Sequence, residues 1–223
     1  MQRLFRAVVY SLVVALIAGP ALAAPVDNPL TRSFYWFRFV GGDDVKKACA
    51  SGAPDIYRLI YNATWREQVR AYDVETRPDG TGHMTIRILG PTVINSIEIS
   101  EPSSILDPWR GQRAVVELSR DQVAALKAAL EVSGGFAFPT RRFEIPSNDF
   151  YWAVSACRGG QFTSTAYLYE LDKFKAVKFD KLMFSLDTTG VAVNPVKDLP
   201  PSSFRGDQTN VWRLRVGAQG IEY

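Results

Sequence analysis

The stretch Gln68–Leu89, QVRAYDVETRPDGTGHMTIRIL, decides the fold. Its centre, Pro78-Asp79-Gly80-Thr81-Gly82, is the clearest turn in the chain. Asp-Gly supplies the positive φ that a tight connection between antiparallel strands needs. On the near side, Val69, Ala71 and Asp73 share one face of a strand over 68–76, and Arg70, Tyr72 and Val74 share the other. On the far side, Met84, Ile86 and Ile88 alternate with Thr85 and Arg87. A period of two over both arms predicts a β-hairpin with one buried and one wetter face.

Working outward, Ile56 to Asn62 reads as a further strand before the hairpin, and Val93 to Ile99 as one after it. Ser33 to Val40 (SFYWFRFV) is aromatic and β-prone, and is expected to be a strand ended by Gly41-Gly42. Asp43-Asp44 then offers an N-cap to a short helix carrying Val45, Ala48 and Cys49, stopped by Gly52 and Pro54. Arg113 to Leu118 leads into Ser119-Arg-Asp-Gln122, a capping box. The apolar stripe Val123, Leu126, Ala129, Leu130 makes the following segment a helix, and Gly134-Gly135 ends it. A second hairpin is expected over Phe150–Cys157 and Phe162–Leu171, turning at Gly159-Gly160. Asp172 should cap a helix of about 14 residues with Phe174, Val177 and Leu182 on its apolar side. Val211 to Val216 reads as a last strand.

Neighbouring strands with two or three helices packed on one face argue α+β, built on a mostly antiparallel sheet. Strand, turn, strand, helix occurs twice, so the domain also reads as two similar β-hairpin-plus-helix halves. With no linker or low-complexity tract to divide the chain, 33–223 is expected to form a single domain, preceded by a loose leader over 24–32.

The first residues carry a different message. Arg3 and Arg6 precede the uncharged apolar run Ala7–Ala18, a Gly19-Pro20 break and Ala21-Leu22-Ala23. These are the parts of a cleavable export signal, and cleavage is expected after Ala23. The run is too short to span a bilayer, which takes about 20 apolar residues. No later stretch is long and apolar enough either, so the mature chain is expected to be periplasmic or secreted and not integral to the membrane. Arg3 and Arg6 would leave with the signal, so 24 of the 26 basic residues remain against 23 acidic ones. That near balance argues against a nucleic-acid partner, which would require a basic excess.

Two cysteines, Cys49 and Cys157, are expected to form a disulfide in an oxidising compartment. The competing reading makes Cys157 a nucleophile with His83, the only histidine, as its base. In that reading Arg158 lowers the thiol pKa, and the chain is a Cys-dependent hydrolase or transferase. No serine-nucleophile, zinc or phosphate-loop motif is present, so no cofactor or metal is expected. The remaining candidates are aromatic. Phe-Tyr-Trp occurs at 34–36 and again at 150–152. Consecutive aromatics on a strand point to both faces, so either both faces are covered or some rings are exposed. Tyr35, Trp36, Tyr151, Trp152 and Arg158 are the candidate binding surface on the second alternative. The expected function is a non-catalytic exported protein that binds a small ligand or another envelope protein.

Overall fold

The computed structural model describes residues 29–65, 67–89, 111–199 and 211–223. The expected export signal, residues 24–28 of the leader and the strand expected over 93–99 lie outside the described residues.

The elements in chain order are α1 (Pro29–Gly41), α2 (Asp43–Ala50), β1 (Ile56–Ala63), β2 (Gln68–Thr76), β3 (Gly82–Leu89), β4 (Gln112–Leu118), α3 (Arg120–Ser133), β5 (Phe143–Pro146), β6 (Phe150–Arg158), β7 (Gln161–Leu168), α4 (Asp172–Lys175), α5 (Asp180–Ser185), β8 (Arg213–Gly217) and β9 (Gly220–Glu222). Six strands form one antiparallel sheet in the order β4-β3-β2-β1-β6-β7. A second sheet joins β5, β8 and β9. The architecture is α+β, as the strand and helix patterns require.

Both expected hairpins are present, and they flank β1. In the first, Gly80 takes φ 86° and Asp79 Oδ1 accepts from the Thr81 backbone N–H at 3.0 Å. In the second, Gly159 and Gly160 take φ 56° and 76°, the positive pair a two-residue hairpin turn demands. The capping box is complete: Gln122 N–H donates to Ser119 Oγ at 3.2 Å, and Ser119 N–H donates to Gln122 Oε1 at 2.8 Å.

One sheet face carries Tyr57, Leu59, Tyr61, Tyr72, Ile86 and Trp152, packed beneath Val123, Leu126 and Leu130 of α3 and Met183 of α5. Across this face the buried Arg70 guanidinium donates to Asp187 Oδ2 at 2.5 Å and to the carbonyls of Val191 and Ala192. The segment after α5 is thereby strapped to β2. The opposite face is covered by α1, α2 and the small sheet, through Trp36, Phe39, Val40, Leu214, Val216 and Ile221. Cys49 on α2 is bonded to Cys157 on β6, with a Cα–Cα distance of 5.4 Å.

Two expectations about local structure are corrected. Residues 33–40 are helical, and residues 29–32 of the expected leader are the first turn of the same helix. Trp36, Phe39 and Val40 fall at i, i+3 and i+4, so one helical face delivers them together to the sheet, while Tyr35 is 40% exposed. Burial of that stripe outweighs the β propensity of the run. The helix expected from Asp172 is broken into α4 and α5. Val177 and Phe179 both enter the core, which a continuous helix would forbid because it sets residues i and i+2 on nearly opposite sides. The break also frees Lys178 N–H to donate to Ser133 Oγ at 3.0 Å.

Candidate functional site

Alternation along β1, β2 and β3 brings a polar set to the sheet face that α2 only partly covers. Register aligns Arg58 with Asp73, and Asp73 with Thr85, in one row across the three strands. Arg87 on β3 and Glu75 on β2 occupy adjoining rows of the same face. Beside them stands α2, which Gly42 allows to start sharply: its φ is 77°, and a side chain there would meet Ser155. Asp43 and Asp44 occupy the first turn of α2, whose N-cap is Gly42 rather than either aspartate. Asp44, Val45 and Ala48 of α2 form one wall of a groove, Ala53, Pro54 and Ile56 close one end, and the polar row is its floor. The groove encloses ≈ 470 Å³.

The floor is a continuous ionic chain. Arg58 Nε donates to Asp73 Oδ1 at 2.5 Å, and Arg87 Nη1 donates to Asp73 Oδ2 at 2.5 Å. Arg58 also grips Asp44 bidentately, at 2.6 and 2.8 Å, and donates to the Phe39 carbonyl at 3.1 Å. The Phe39 ring lies 3.7 Å from the Arg58 guanidinium carbon. A stacked, forked arginine of this kind is held in a single orientation. The Arg58, Asp73 and Arg87 side chains are only 6–11% exposed, whereas those of Asp44 and Glu75 are 59% and 57% exposed.

Burial alone would raise the Asp44 carboxyl, but the paired Arg58 guanidinium outweighs it and holds Asp44 below the usual carboxylate value. Burial works against the charge on Arg58 too, and Asp73 and Asp44 overcome it, keeping Arg58 above its ordinary value. The lining carries three carboxylates against two guanidinium groups. The groove thus presents fixed charges and hydrogen-bonding groups, with Thr76 and Thr85 supplying the hydroxyls of its lining. Among the described residues no three or more His, Cys, Asp or Glu side chains are gathered to hold a metal ion.

The candidates from the sequence are distributed otherwise. Trp36 (2% exposed), Trp152 (1%) and Tyr151 (0%) are core residues, and Trp36 and Trp152 lie on opposite faces of the sheet. Trp36, Tyr151 and Trp152 of the expected binding surface are therefore corrected to buried packing, while Tyr35 remains exposed. Trp152 sits at 5.0 Å from Tyr61 and 5.2 Å from Phe179, and Trp36 at 4.6 Å from Trp65. Trp36 Nε1, Asn62 Oδ1 and Tyr151 OH are buried without a hydrogen-bond partner among the described residues. Arg158 is exposed, ion-paired with Glu131 and set over the Phe136 ring. The thiol–imidazole pair is also corrected. The Cys157 sulfur is in the disulfide and has no proton to lose, and two intervening strands part Cys157 from His83. At about 4.8 Å per strand the two residues stand about 14 Å apart.

Arg58, Asp73, Arg87 and Asp44 were missed as a set. The signal available was a charged residue at an inward position on each of three strands. It becomes a site only once the strand order is known.

No protein-family model matches the chain, and no curated protein matches it.

Proposed function

We propose that this chain is an exported, non-catalytic binding domain that holds a small ligand, or a segment of an envelope protein, in the groove between α2 and β1–β3. The observation that carries the reading is the concave site with its ionic floor already fixed. Arg58 is committed to four hydrogen bonds before any ligand arrives, so binding forfeits little side-chain freedom there. The walls of Val45, Ala48, Pro54 and Ile56 add apolar contact around a few placed polar groups, the composition expected of a ligand site. The exposed Asp44 and Glu75 carboxylates at the rim favour an occupant that presents a cation or hydrogen-bond donors. Export is supported by the Arg3–Ala23 pattern and by the Cys49–Cys157 bond, which suits an oxidising compartment.

The test is capture from envelope extract with the oxidised protein immobilised, identifying retained small molecules and proteins by mass spectrometry. Ala48→Trp fills the groove from a half-buried position on α2 and should abolish retention while leaving the melting temperature within a few degrees. Equal retention by both proteins would defeat the reading.

A further inference from the structure

We propose that two copies of this chain pair antiparallel through β4, extending the six-stranded sheet into a continuous twelve-stranded one. Among the described residues β4 is an edge: β3 lies on one side of it and no strand lies on the other. An unpaired edge of this kind displays a row of backbone donors and acceptors ready to continue the ladder. Native edges are commonly blunted by proline, lysine or a bulge. The β4 sequence, QRAVVEL, contains neither residue, and it pairs with β3 in unbroken register from Gly82–Leu118 to Ile88–Gln112.

The order of its residues selects a second copy as the occupant. Val115 stands at the centre of the strand and is 56% exposed. Arg113 lies two residues before it and Glu117 two residues after, so all three project from the same face. A twofold axis through Val115 would set Arg113 opposite the partner copy's Glu117, and Glu117 opposite the partner copy's Arg113. Glu117 already accepts from Arg77 of its own chain at 2.5 and 3.0 Å, and would be shared between two arginines. The two valines would then cover each other. Opposite charges in directly facing positions stabilise a strand pair, and like charges there oppose it. Within one chain Arg113 faces Arg87 across the β3–β4 pair, a like-charge neighbour, and makes no ion pair among the described residues. Pairing with a second copy brings it a carboxylate. A twofold contact needs a self-complementary patch, and a strand reading basic, apolar, acidic about its midpoint is one.

Sedimentation velocity on the oxidised protein should show a dimer that weakens as the concentration falls. Arg113→Glu and Glu117→Arg each turn two attractive contacts into two repulsive ones, and each should weaken dimerisation about tenfold or more. Glu117→Arg also breaks the exposed pair with Arg77, so Arg77→Ala, which breaks that pair alone, is the control and should leave the dimer intact. The double variant, Arg113→Glu with Glu117→Arg, restores opposite charges across the axis and should recover the dimer. Both exchanged positions, Arg113 and Glu117, are exposed, and circular dichroism confirms that the variants fold. A monomeric wild type at high micromolar concentration would overturn the proposal, as would a dimer that the single exchanges leave unchanged or the double exchange fails to restore.

Discussion

Reducing the Cys49–Cys157 bond changes no side-chain position by design, so it isolates the value of the crosslink. The bridge closes a segment with a sequence separation of 108. The chain-entropy relation assigns a loop of that size about 5 kcal/mol of stabilisation, by restricting the unfolded ensemble. The native state has little to set against this, because Val45, Ile56 and Phe162 pack around both sulfurs and would continue to do so around two thiols. The assay is urea unfolding of the oxidised chain beside the same chain reduced in denaturant and kept in reductant, followed by tryptophan fluorescence. With a slope of about 2 kcal/mol per molar, the midpoint should fall by about 2 M while the slope rises as the unfolded chain expands. Hydrogen exchange should show α2 losing protection first, since Cys49 is its covalent tie to β6. A midpoint shift below about 0.5 M would refute the entropic reasoning, since the relation demands several times that.

Asp187→Asn keeps the shape of the side chain but leaves the wholly buried Arg70 without its carboxylate, and should cost about 3–5 kcal/mol in thermal or urea unfolding. Gly42→Ala should destabilise by about 2–4 kcal/mol, since it forces a left-handed backbone on alanine and sets its Cβ against Ser155. Ser155→Ala should not relieve it, because the Ser155 Cβ is itself 2.5 Å from that position, whereas Ser155→Gly should relieve part of it. Asp44 and Asp55 both titrate below their ordinary value: burial acts to raise each, but Arg58 prevails at the first, and the Gly159 N–H and Lys127 at the second. Carboxyls depressed in the folded state bind fewer protons there than in the unfolded chain. The stability they contribute is therefore present above about pH 4 and is lost as the pH falls through their folded values. Urea midpoints measured from about pH 6 to pH 2 should decline on the acid side, and a flat or rising profile would contradict the assignment.

Local signals reported local structure well. The Asp79-Gly80 and Gly159-Gly160 turns and the Ser119–Gln122 capping box each depend on residues within a few positions of one another, and each was legible before any coordinates. The aromatic run at 33–40 misled because its residues suit either regular structure. Strand propensity favoured β, and the choice fell to which geometry buries Trp36, Phe39 and Val40 together. The same holds for 172–185, where an acceptable helical stripe yielded to the demand that Val177 and Phe179 both reach the core.

From the sequence alone followed the α+β class, the two hairpins around their glycine turns, the capped helix α3 and the pairing of the only two cysteines. All rest on short-range periodicity, backbone freedom at glycine, or simple counting. The strand order, the groove on the Arg58–Asp73–Arg87 face and the burial of Trp36 and Trp152 on opposite faces were decided by the tertiary structure. Arg58, Asp73 and Arg87 are about 15 residues apart from one to the next and became neighbours only when β2 aligned between β1 and β3. Register across a sheet is chosen by the burial of whole faces at once, a sum over distant residues that no local window contains.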